Sequence, residues 1–392
     1  MIPKRLPPWV SQRTVALAIV AVLFVGLCIL PGLYMLGVSF TSPVGSFSLE
    51  NYRHLLNLRQ RQLLLSSTLL STATALLATL IGAPLGLLLG RADLPAKRLL
   101  RLTLVIPVVI PPYILGLAWI YTGGSAGLIA QVLGRDLFSS WTYSLAGAVI
   151  VLSIGFYPLS MLATEAASRR VEAHLEEAAL LVARAPRVLW RITLPLIAPS
   201  IAAAALIIFV LALSEFGVPG LLRVPVFTTE VFTAFAAYYD FGSATSLAVP
   251  LLGIALIAAV AAKLVIGTHV LTVRRSTHTG LPLALGGWRP LAIAAVGFVL
   301  CSSVVLPVVI LAREVGQMER VTAAISASAS AIGNSLVLAT IAATIIVILA
   351  AVLGYGRARV RTRLRGLLDL IFVVVFAVPS TVVGMGLIGL WN

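Results

Sequence analysis

The sequence predicts an all-α fold, a polytopic transmembrane helical bundle, and three observations lead there. Mean hydropathy is +1.08. Hydrophobic residues make up 60% of the 392 and charged residues only 10%, a balance outside the soluble globular range. The apolar residues also gather into runs of about 20 or more, the length that crosses a bilayer as a helix. Backbone groups in lipid must be satisfied internally, so helices are the default for such runs.

Nine spans are expected: 15–40, 63–90, 99–121, 142–165, 196–221, 244–268, 290–312, 331–356 and 366–391. The first follows Lys4, Arg5 and Arg13 and is too long for a signal-peptide core, so it reads as a retained anchor. In the second, Gly82, Gly86 and Gly90 recur every four residues. Such a small-xxx-small stripe lets a neighbouring helix approach closely. The third carries Pro107, Pro111 and Pro112, which should kink it and leave freed carbonyls facing protein or a cavity. Glu215 falls inside the fifth, near its outer boundary. A carboxylate at that depth usually faces a pathway or a partner charge. Cys28 and Cys301 lie inside spans and read as packing residues, not as a disulfide framework. Asp369 sits beside Arg365 and reads as half of a local ion pair.

Between spans four and five lies the chemically distinctive segment, 172–195. Leu175, Ala178, Ala179 and Val182 repeat at i, i+3, i+4, i+7, one stripe of a helix. Glu172, Glu176 and Glu177 crowd the opposite side near its start, where the helix dipole favours negative charge. After a break at 183–185, Pro186 suits a first helical turn. A second short helix then presents Arg184, Arg187 and Arg191 as a basic face, and Leu194-Pro195 should end it. Two short amphipathic helices joined at a bend can lie in a groove of a partner. The alternative is a solvated connector with no partner.

Glu177-Ala178-Ala179, then Ala183, then Ile192-x-Leu194-Pro195 resembles the EAA loop of ABC importer permeases, Glu-Ala-Ala-x-x-x-Gly followed by a hydrophobic-x-Leu-Pro ending. The family's glycine is Ala183 here, and alanine is disfavoured in a bend that needs φ > 0. The resemblance implies that 172–195 is the coupling element docking on separate cytoplasmic ABC ATPase subunits, expected as a homodimer. Glu177, Ala178, Ala179, Ala183, Leu194 and Pro195 carry the motif, and Arg184, Arg187 and Arg191 add polar contacts with the ATPase. A periplasmic solute-binding protein would deliver solute to the outer face, with 224–235 and Tyr238-Tyr239-Asp240 as a candidate contact.

The net charge of +15 would point to nucleic acid in a soluble protein. With the N-terminus inside and sides alternating, however, 21 of the 28 Lys and Arg fall on the inner side. That is the positive-inside bias, and it places the hairpin in the cytoplasm of a multi-pass inner-membrane protein without nucleic-acid partners.

A shift of 268 residues maps Gly82, Gly86 and Gly90 onto Ala350, Gly354 and Ala358, Arg91 onto Arg359, and Ile110-Pro111 onto Val378-Pro379. Leu30-Pro31 maps onto Leu306-Pro307 at a shift of 276. The expected organisation is a first permease domain of six helices at 1–271, a linker at 272–289 and an incomplete second domain of three helices at 290–392. About twelve spans are expected for a complete tandem chain, on the rule that repeats share length. Tandem permeases occur in the ferric-iron and thiamine branches of the family, and Ser214-Glu215-Phe216-Gly217 resembles a stretch of ferric-iron-type permeases. Glu215, Phe216, Gly217 and Pro111 are therefore candidate pathway residues, and ferric iron is the lead substrate. Thiamine, polyamine and phosphonate are the other substrates weighed.

No phosphate-cradling G-x-x-x-x-G-K-[ST], nucleophilic triad or metal-ligand spacing is present. The chain reads as a non-enzyme with no catalytic, cofactor or metal site, so energy would come from another subunit. An ion-driven secondary transporter is the rival class, but it would place several ionisable residues at the midplane, which this sequence does not.

Overall fold

The computed structural model describes residues 19–41, 46–53, 55, 57–267, 285–316, 318–359, 365–366, 368–369, 371–372, 375, 378 and 380–391. Lys4, Arg5, Arg13, Pro379 and 272–284 of the expected linker lie outside them. The architecture is all-α. Eight helices among the described residues are long and apolar enough to cross a membrane, as the composition anticipates. The residues divide into two compact units, 1–53 with 234–246 and 315–392, and 54–233 with 247–314.

In the larger unit, α2 (Leu58–Arg91) lies along α5 (Leu145–Ser168), and α7 (Ala185–Ser214) packs against both. The α2–α5 seam forms because α2 presents almost no side chain there. A β-carbon on Gly82 would lie 2.9 Å from Ser160 Cβ, and one on Gly86 would lie 2.8 Å from Thr164 Cβ and 2.9 Å from the Glu165 amide nitrogen. One on Gly90 would collide with the Ser168 hydroxyl. The glycine stripe is thus the packing surface its spacing predicts, with van der Waals contact replacing the hydrophobic force that lipid removes. Ser144 caps α5 by accepting the Gly147 N–H at 3.3 Å, as serine does at helix starts.

The third expected span is broken rather than kinked. It becomes α3 (Lys97–Val109) and α4 (Pro112–Gly123). Consecutive prolines force this, since the residue before a proline is pushed out of the helical region. Ile110 takes ψ 125° and Pro111 ψ 132° accordingly.

Other described prolines, such as Pro84 and Pro158, sit inside unbroken helices. At Leu30-Pro31, Leu194-Pro195 and Leu306-Pro307 the preceding turn widens to a π turn: Val25–Ile29, Leu189–Thr193 and Cys301–Val305. In each, the leucine N–H reaches back five residues, to Val25, Leu189 and Cys301. A wider turn relieves the clash of the proline ring with the carbonyl four residues back. The expectation that Leu194-Pro195 ends the second hairpin helix is therefore corrected, because α7 runs through it to Ser214. The same device appears at these three intrahelical Leu-Pro pairs, and Leu194-Pro195 is not one of the repeat-related pair, so the turn reports proline chemistry and is not itself a sign of the repeat.

In the same unit, α11 (Gly286–Val315) sets its π turn against α3. Buried Tyr157 donates its hydroxyl to the Leu104 carbonyl at 3.0 Å and meets Ser303 at 3.2 Å. Cys301 is exposed and Cys28 half-buried, so the packing role expected of both fails for Cys301, whose turn directs it outward.

In the smaller unit, α1 (Ile19–Ser39) packs against α13 (Ser380–Trp391). A β-carbon on Gly386 would lie 2.9 Å from Pro31 Cβ, and Phe24 meets Phe372 edge-on at 5.5 Å. Of the expected ninth span, 366, 368–369, 371–372 and 375 are helical, and α13 carries the apolar stretch Val382–Trp391. Asp369, read as half of a local ion pair, accepts two hydrogen bonds from Arg357, one of 2.8 Å. Helix α12 (Met318–Arg359) is apolar, and its most apolar stretch buries none of its residues.

Candidate functional site

The hairpin comprises α6 (Ala173–Leu180), a turn at 181–184, and the start of α7. Its anchor is a buried ion pair absent from the sequence-derived residue set. Arg91, the last residue of α2, donates Nε to the Ser168 carbonyl at 3.0 Å, donates a second guanidinium nitrogen to the same oxygen, and pairs its third with Glu176. Thr193, in the π turn of α7, donates its hydroxyl to the same Glu176 oxygen. The two charged side chains are each 4% exposed. The Ser168 carbonyl is one of the orphan acceptors at the end of α5, and the guanidinium fork satisfies it. Beside this cluster, Glu165 of α5 takes Arg101 of α3 and, at 2.7 Å, Arg169.

Burial of Glu176 corrects the amphipathic reading of α6. Sequence spacing puts Glu176 on a polar face with Glu172 and Glu177, and an apolar stripe opposite. In the structure Glu176 turns inward, while Leu175, Ala178 and Val182 of that stripe are exposed. A partner reachable only through the fold overrides a local hydrophobic period, because a carboxylate can be buried when a guanidinium meets it. The signal available beforehand was Arg91, a basic residue at the end of α2, whose other charges, Arg59 and Arg61, lie at its opposite end.

The outward face carries most of the expected motif. Glu177, Ala178, Arg184, Arg187, Arg191 and Pro195 are exposed, and Ala179, Ala183 and Leu194 are half-buried. Leu181 and Val182, at the tip, are each 86% exposed. Ala183 sits in the motif glycine's place without strain. Its N–H continues the helical ladder to the Ala179 carbonyl at 2.9 Å, and among the described residues the non-glycine positions with positive φ are Ala96, Arg223 and Tyr239.

At the other end of α7, the helix stops at Ser214 and Glu215 is extended, with ψ 128°. Glu215 is therefore just beyond the helix and not inside a span as expected. Its carboxylate accepts the Gly217 N–H at 2.8 Å and the Val218 N–H at 3.3 Å, capping α8 (Gly217–Leu221). The Thr228 hydroxyl donates to the Glu215 carbonyl at 2.9 Å. Phe216 stacks on Phe232 at 4.9 Å. The turn also meets the break in the third span: a β-carbon on Gly217 would lie 3.3 Å from Tyr113 Cβ, two residues past Pro111. The four candidate pathway residues thus gather in one region, while Glu215 spends its oxygen on its own backbone. In the candidate outer contact segment, Val224, Val226 and Phe227 are buried, whereas Tyr238 and Tyr239 are exposed. Among the described residues no cluster of His, Cys, Asp and Glu could hold a metal ion.

Residues 82–277 match the family described as the binding-protein-dependent transport system inner membrane component. The chain belongs to this family. The match spans the end of α2 that carries the glycines, the Arg91–Glu176 anchor, the hairpin and the Glu215 turn, and it makes this a multi-pass inner-membrane protein. Members are permease components of ABC importers, not enzymes. The chain is 35% identical over 155 residues to the molybdenum transport system permease protein ModB of Mycobacterium tuberculosis, covering 39% of this chain and 58% of that one. It is 35% identical over 156 residues to the Escherichia coli K12 protein of the same name, covering 38% and 68%. With the ferric transport system permease protein FbpB of Actinobacillus pleuropneumoniae it shares 26% identity over 191 residues, covering 46% and 28%. The chain thus spans 58% of the length of the mycobacterial relative.

Proposed function

We propose that this chain is the transmembrane permease of a bacterial ABC importer, driven through the 172–195 hairpin by ATPase subunits that it does not itself contain. The observation that carries this reading is the division of two adjacent glutamates. Glu176 fastens the hairpin to the bundle, and Glu177 stands outward with Ala178, Leu181, Val182, Arg184 and Arg187, all exposed. A face that joins apolar tips to charge is suited to a partner groove, and the excess of Lys and Arg on the hairpin side supports a cytoplasmic location. Solute would arrive from a periplasmic binding protein at the end where Tyr238 and Tyr239 are exposed. The collinear glycine and Leu-Pro positions support a tandem layout, with 1–271 a first permease domain and 290–392 part of a second.

Ferric iron remains the lead substrate, from the Ser214–Gly217 resemblance and the tandem layout. A specific observation favours molybdenum as the second reading. The ModB relatives share the higher identity, and Glu215 caps a helix instead of offering its carboxylate to a cation. Titrating the binding protein encoded beside this chain with ferric iron and with molybdenum oxyanion separates the two.

Coupling itself is tested by Glu177→Lys. Because Glu177 is exposed, the variant should reach the membrane at the wild-type level while binding-protein-dependent uptake falls at least tenfold, the order of a lost allosteric coupling. Undiminished uptake refutes the docking role.

A further inference from the structure

Glu177 faces outward, but the force of a docked motor must also enter the bundle, and among the described residues a buried charged cluster is placed to carry it. Arg91 and Glu176 are separated by 85 residues and draw four elements to one point. Arg91 is the end of α2, and the Ser168 carbonyl is the end of α5. Glu176 is the middle of α6, and Thr193 lies in the first turns of α7. The contacts are charge-assisted and forked, the geometry that fixes orientation as well as distance. They are also sealed from solvent, where an ion pair is not screened. Packing ties α6 only weakly, because Leu175 and the tip residues Leu181 and Val182 face away from the bundle and the hairpin's buried apolar side chain is Val188, at the start of α7.

We infer that Arg91 and Glu176 are positioning residues that make the hairpin, α2, α5 and the head of α7 move as one body, so that displacement of the outward face reaches the membrane helices. This inference rests on the proposed function above. It adds that docking and transmission are separable, with the first assigned to Glu177 and its neighbours and the second to the buried pair.

The experiment uses the whole transporter, with the chain co-expressed beside the ATPase and binding protein encoded with it. Glu176→Gln, Arg91→Lys and Thr193→Val form a graded series. Three quantities are read: ATPase co-purified per permease, basal ATP hydrolysis, and its stimulation by loaded binding protein together with uptake. In Glu176→Gln, co-purification and basal hydrolysis should stay at the wild-type level while stimulation and uptake fall about tenfold or more. Arg91→Lys, which keeps the charge but loses the fork, should fall between that variant and wild type. Thr193→Val removes a single hydroxyl and keeps the pair, so it should assemble normally and lose stimulation by a few-fold. Unchanged stimulation per assembled complex overturns the inference. So does a loss of uptake that tracks only the amount of complex recovered, since that marks a purely structural contact. If the wild-type chain co-purifies no ATPase, the proposed function fails instead, and the two failures cannot be confused.

Discussion

Replacing Gly86 by valine tests the α2–α5 seam, and the structure sets the size of the effect. The new β-carbon would collide with the Met161 carbonyl and come within 2.8 Å of Thr164 Cβ and 2.9 Å of the Glu165 amide nitrogen. Two of those three atoms belong to backbone and cannot swing aside, so α5 must move off α2. Overpacking of this kind costs about 1–3 kcal/mol, and the absence of any flexible neighbour points to the upper end. Replacing glycine within a helix returns less than about 1 kcal/mol through propensity. The net loss is then roughly 2 kcal/mol, equivalent to about 4–8 °C in Tm for a body of this size. The control is Gly354→Val, the collinear position in α12, where an added β-carbon meets nothing within 4 Å. It should stay within about 0.5 kcal/mol of wild type. Thermal unfolding of detergent-purified protein, followed by loss of monodisperse material, reads both. Equal shifts in the two variants would refute the claim that the glycine spacing encodes this seam.

Tyr157→Phe removes the hydroxyl held by the Leu104 carbonyl and Ser303 and should lower stability by about 1 kcal/mol, a drop of about 2–4 °C by the same assay. Glu215→Gln keeps an oxygen to cap α8 and should leave both stability and uptake near wild type, whereas Glu215→Ala loses the cap and about 1 kcal/mol. Abolished uptake in a well-folded Glu215→Gln variant would restore a direct role for the charge. Arg187→Cys should react with a membrane-impermeant maleimide in inverted vesicles and not in right-side-out ones. Labelling from the periplasmic side would overturn the orientation assigned to the hairpin.

Much of the fold was legible because its determinants are local. Runs of apolar residues define spans wherever lipid is the solvent, and the four-residue glycine period announces close packing whichever helix answers it. Pro111-Pro112 marked the weak point of the third span, although the outcome was a break and not a bend. The hairpin was located by residue spacing, and its outward residues stand where the motif puts them. Its inward face was misjudged. Periodicity ranks residues by hydrophobicity alone, and by that measure Glu176 belongs with Glu177 in solvent. Leu194-Pro195 was read as a stop because a proline ends an α-helix of regular pitch, and the π turn that admits it leaves no mark in composition.

By itself, then, the sequence determined the all-helical membrane architecture, the position of the glycine seam and the location of the hairpin, since each follows from chemistry within a turn or two of the chain. The tertiary structure alone decided which glutamate is buried, which carbonyl the arginine at the end of α2 satisfies, and that the Glu215 carboxylate folds back on its own turn. Those outcomes depend on partners brought together across 77 and 85 residues or on where a helix stops, and a charge is worth burying only once its counter-charge has arrived.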